Sequence, residues 1–145
     1  MIYEFIEAIC DTLDIDTPVV SFDTSQFLTE TTMAQCSSDG KTIYLRKYEK
    51  PNPDQLFAIA HELRHFWQIR TDEEHYFANY KQANQCASVE EYNLQTAELD
   101  ANAFGCYVMQ ESFGLKALFN GMNEDVKQKI YDRVGNIKQF YESKI

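Results

Sequence analysis

At 145 residues the chain is long enough for one domain with a real core and short for two. Hydrophobic residues at 44% and aromatics at 14% exclude wholesale disorder. With 13 basic against 23 acidic residues the net charge is −10, which repels phosphate backbones and anionic membrane surfaces, so neither nucleic acid nor a membrane is an expected partner.

Residues 2–14 carry Ile2, Phe5, Ile6, Ile9, Cys10 and Leu13 at helical spacing, which predicts a short amphipathic helix. This opening carries acids early and no basic leader, and no apolar run approaches the roughly 20 residues of a membrane span. The expected location is the cytoplasm. Residues 19–22 read as a short strand. Residues 32–36 and 42–46 flank Asp39-Gly40, a strong turn signal, and predict a β-hairpin. Asn52 as a cap, Pro53 in the first turn and Gln55 at the third position predict a helix over about 53–70. Its stretch Leu56-Phe57-Ala58-Ile59-Ala60 is apolar nearly all round, so this helix is expected to be buried. Ser88-Val89-Glu90-Glu91 is a capping box from which a second long helix should run to about 111. Asn123-Glu124-Asp125 opens a last helix over about 124–141. The expected fold is α+β, a single domain over 1–145, with a small antiparallel sheet packed on the buried helix and further helices after it. Cys10, Cys36, Cys86 and Cys106 form no CxxC pair and read as reduced, small, buried thiols.

The buried helix contains His61-Glu62-Leu63-Arg64-His65, an H-E-x-x-H motif. Positions i and i+4 share a helix face, so both imidazoles reach one metal ion. Glu62 lies about 100° round the helix from His61. It sits beside the metal without ligating it, where it can take a proton from an activated water. Zinc suits two imidazoles and a carboxylate with one position left open. Two surface histidines on an ordinary helix are the plainer alternative.

A third ligand comes from the later helix. Its apolar stripe is read as Leu94, Ala97, Ala101, Phe104 and Val108, with Glu98 on the stripe and Asp100 off it. A carboxylate on a buried face costs several kcal/mol unless it is paired or ligates a metal. Glu98 is therefore the candidate ligand, with pairing to Arg64 or Arg70 as the other reading. Asn102 shares its face, either hydrogen-bonding a ligating histidine or sitting at a packing edge. His75, after Thr71-Asp72-Glu73-Glu74, reads as a solvated loop histidine. Phe66, Trp67 and the tyrosines of 76–80 and 92 read as core or groove wall. Arg64 is open between a role at the site and a solvent-facing one. A tyrosine is a natural donor to a developing oxyanion, but spacing does not select one of nine.

Together, Ala60-His61-Glu62-Leu63-Arg64-His65 and Glu98-Leu99-Asp100-Ala101-Asn102-Ala103-Phe104 resemble the zincin metallopeptidases, most closely the ImmA/IrrE-like family. The resemblance covers roughly residues 30–110. Members are small and often associated with phages or mobile elements. The chain has Arg64 where the family usually has glycine, and Gly105 where alanine is usual. The resemblance implies His61, His65 and Glu98 as Zn²⁺ ligands and Glu62 as general base. It implies a zinc-dependent peptidase acting on a peptide or protein substrate. The alternative is a non-enzymatic zinc-binding or protein-interaction domain on the same scaffold.

Overall fold

The structure, a computed structural model, describes residues 1–27 and 29–143. Contacts divide the chain into two units, Met1–Thr71 and Asp72–Ile145.

The first unit opens with helix α1 (Ile2–Leu13), which buries Ile6, Ile9, Cys10 and Leu13 on one face. Asp14 ends it in the left-handed region at φ 55°, a conformation that aspartate tolerates better than most residues. The reversal lets Ile15 N–H reach back to the Cys10 carbonyl at 3.0 Å. Strand β1 (Val19–Ser21) follows, then a 3₁₀ turn (Thr24–Gln26), and then β2 (Ala34–Cys36) and β3 (Thr42–Leu45).

The β2–β3 hairpin turns where Asp39-Gly40 predicted it. Gly40 has φ 72°, and its N–H bonds Ser37 O at 3.1 Å. The sheet order is β1-β3-β2, with β3 in the middle. β2 pairs antiparallel to β3, Cys36 opposite Ile43, but β1 pairs parallel, Val20 opposite Ile43. The sheet is mixed, not the antiparallel one expected. The turn signal fixes only the hairpin, whereas β1 docks on the far edge of β3 through a long connection that leaves no local mark.

Helix α2 (Pro53–Thr71) completes this unit and packs on β2 and α1. Asn52 Oδ1 accepts from Asp54 N–H at 3.0 Å, so the predicted cap is present. Asn52→Ala should lower stability by about 1 kcal/mol, read as a small fall in melting temperature. Gln55 has a different role from the capping one assigned to it. It is buried, and its Nε2 donates to Arg46 O at 2.6 Å and Met33 O at 3.2 Å. Of the apolar run, Leu56, Ile59 and Ala60 are buried as expected, the last two fully enclosed, while Phe57 and Ala58 are half-buried.

The second unit is helical. The segment read as an acidic loop holds helix α3 (Glu73–Asn79), because Asp72 caps it by accepting from His75 N–H. After a 3₁₀ turn (Ala83–Gln85), Ser88 does cap a helix, accepting from Glu91 N–H at 3.0 Å. That helix, α4, is short (Val89–Asn93), and the long helix α5 begins only at Thr96 and ends at Phe113. The predicted single helix breaks at Gln95, whose backbone is extended. Its side-chain Oε1 accepts from Lys81 N–H at 2.7 Å, and its Nε2 donates to Lys81 O and Tyr92 O. A side chain that satisfies backbone groups of an earlier segment competes with helix continuation.

Helix α5 packs against α6 (Glu124–Glu142), which opens where predicted and is capped by Asn123. Phe104, Val108, Val126, Ile130 and Ile137 are buried in this unit. The stripe read on α5 is too narrow. Leu94 lies outside α5 and is exposed, while Asp100, placed off the stripe, is buried. Arg133 accounts for it, with Nε and Nη2 each 2.8 Å from Asp100 Oδ1. Among the described residues, no helix is long and apolar enough to cross a membrane.

Candidate metal centre

Helix α2 carries the H-E-x-x-H motif within the first unit. His65 is buried at 4% exposure, while His61 and Glu62 are half-buried. The helical i, i+4 spacing brings the two imidazoles together as expected, with their Nε2 atoms 3.2 Å apart. Ligands on a tetrahedral zinc with Zn–N bonds of ~2.0–2.1 Å lie about 3.3–3.4 Å from each other. The pair is therefore spaced as two ligands of one ion.

Gln68, one turn further along α2, fixes the tautomer. His65 Nδ1 lies 2.8 Å from Gln68 Oε1. An amide oxygen only accepts, so Nδ1 carries the ring proton and Nε2 presents its lone pair. A partner on the outer nitrogen is the usual support of a ligating histidine. The sequence reading missed Gln68, although its i+3 spacing from His65 was a usable signal. Phe57 lies beside His61, the ring centroids 6.4 Å apart.

Glu62 points to the sheet. Its Oε2 accepts from Cys36 Sγ–H at 2.9 Å and from Cys36 N–H at 3.4 Å. No local spacing announces this contact, which joins positions 26 residues apart. Arg64 is buried, its guanidinium stacked 3.8 Å from the Trp67 ring centroid. That settles it away from the solvent-facing reading. None of the four cysteines forms a disulfide. Burial pushes the Cys10 thiol up to about 11 and the Cys106 thiol up to about 12. These two match the buried reading, while Cys36 and Cys86 are half-exposed.

In the second unit, Glu98 is 2% exposed, in the first turn of α5. That position suits a carboxylate, since it faces the positive end of the helix dipole. The Tyr80 hydroxyl is 2.8 Å from the Tyr92 hydroxyl. Burial, then the Glu98 carboxylate, then the Tyr92 hydrogen bond raise the Tyr80 titration well above the ordinary tyrosine range. Tyr80 is thus part of Glu98's surroundings, a relation that spacing alone did not select. Asn102 is buried in α5. His75 is exposed, as expected, but on helix α3.

A small mixed sheet beside a helix that carries two convergent histidines defines a zincin-like α+β domain. The family model of the IrrE N-terminal-like domain, a peptidase family, matches residues 10–145, and the chain belongs to that family. No curated protein and no solved structure matches the chain.

Proposed function

We propose that the chain is a zinc-dependent metallopeptidase, its 145 residues acting as one domain. His61, His65 and Glu98 are the proposed ligands, a donor set of two imidazole nitrogens and one carboxylate oxygen. When bound, zinc acts as a Lewis acid toward a peptide carbonyl and lowers the pKa of a water. The observation that carries the reading is the His61–His65 pair at 3.2 Å, with the proton of His65 committed to Gln68. Membership of a peptidase family supports it.

Glu62 is the proposed general base, adjacent in sequence to a ligand and held by Cys36. Its carboxylate takes a proton from the attacking water and passes it to the leaving amine. The substrate is a peptide or protein, and a cytoplasmic location agrees with four cysteines outside any disulfide. The alternative, a zinc-binding or interaction module without catalysis, has less use for a fixed carboxylate beside the histidines.

The reading is tested by metal content. Purified protein, reconstituted at neutral pH, should hold about one zinc per chain, and the His61→Ala/His65→Ala variant should hold none. Wild-type protein that takes up no zinc would end the proposal.

A further inference from the structure

The Cys36–Glu62 contact joins a strand to the motif helix, and no part of the zinc-binding set calls for it. Cys36 is the last residue of β2. Side chains two apart on a strand share a face, so Cys36 lies on the same face as the buried Ala34. β2 is also the strand that packs against α2. The thiol therefore meets α2 because of where the hairpin ends.

Both of its donors, Sγ–H at 2.9 Å and N–H at 3.4 Å, fall on one oxygen of Glu62, Oε2. A glutamate side chain has three rotatable bonds, and an unpinned one samples many positions. Two donors converging from one residue hold that oxygen in place beside β2.

We propose that Cys36 is the positioning residue for Glu62. It occupies Oε2 so that Oε1 is the oxygen that receives and returns the proton. This rests on Glu62 being the proton carrier of the proposed peptidase. A thiol is a weak donor, but an ionised acceptor strengthens the bond. Its worth lies in geometry, since small misplacements of a reacting group cost large factors in rate.

Two measurements test it on the full chain. The first follows cleavage of a fluorescently labelled unfolded casein by the zinc-loaded wild type, Cys36→Ala and Cys36→Ser. Cys36→Ala should keep its zinc and melting temperature and lose about tenfold in kcat with little change in KM. Cys36→Ser, whose hydroxyl still donates, should recover most of the loss.

The second measurement needs no activity. Iodoacetamide labelling is followed by mass spectrometry at Cys36 and at Cys86, the other half-exposed thiol. Removing the acceptor in Glu62→Ala should raise the Cys36 rate relative to Cys86 by about threefold or more. Wild-type kcat in a folded Cys36→Ala variant overturns the proposal, as does an unchanged Cys36-to-Cys86 ratio. A wild-type chain that holds zinc and cleaves nothing counts against the peptidase reading. In that case the labelling ratio still decides whether thiol and carboxylate are joined.

Discussion

The Glu62→Gln variant is expected to bind zinc as the wild type does and to hydrolyse peptides about 10²- to 10⁴-fold more slowly. Glutamine keeps the size of the side chain and an oxygen that accepts from Cys36, so the loop of contacts between β2 and α2 survives. What it lacks is a basic carboxylate. The metal should stay, because the imidazoles of His61 and His65 converge without help from position 62. Metal content and turnover, measured on one preparation, separate the two effects. Retained zinc with lost turnover assigns Glu62 to proton transfer. Lost zinc makes Glu62 part of the binding set, and undiminished turnover removes it from the chemistry altogether.

The second large effect is on stability. Phe104→Ala should cost about 3–5 kcal/mol, the range for emptying a fully buried aromatic position. Phe104 has no exposed surface, and its ring lies 6.5 Å from Tyr107 and 6.4 Å from Tyr141, centroid to centroid. Tyr141 comes from α6, so the ring is part of what holds α6 on α5. Alanine leaves a void there that two long helices, bound to each other along their lengths, have little freedom to close. For a chain of this size the loss corresponds to a fall of roughly 10–16 °C in melting temperature. A thermal melt within 2–3 °C of wild type, on the order of 1 kcal/mol, would mean that the α5–α6 contact tolerates the gap.

Much of the site was legible because its signals are local. The i, i+4 histidines, the Asp39-Gly40 turn and the Asn52 cap each depend on a few neighbouring residues, and each appears in place. Glu98 was selected as an acid on an apolar face, and it is buried. The same argument placed Asp100 outside, and there it failed. Its answer is Arg133, 33 positions away, which no periodicity within one helix reveals. The parallel docking of β1 and the break at Gln95 were missed for the same reason. Both are decided by partners distant in sequence, and in each case a tertiary contact overrode a local preference. Cys36 is the clearest example. As a sequence element it is a scattered thiol, and its bond to Glu62 exists only after the hairpin has met the helix.

Gln55 bears on how this part of the molecule opens. Its amide bonds the carbonyls of Met33 and Arg46, the residues just outside the paired ends of β2 and β3, from the first turn of α2. Hairpin and helix are thereby clamped at one end by a buried amide and, two helical turns further on, by the thiol and carboxylate of Cys36 and Glu62. Peeling β2 away from α2 then requires both clamps to release, which makes fraying of the hairpin alone a costly excursion. In the language of local unfolding, strand and motif helix are expected to open as one cooperative foldon. Glu62 and the His61–His65 pair, all carried by α2, therefore share one fate with the hairpin.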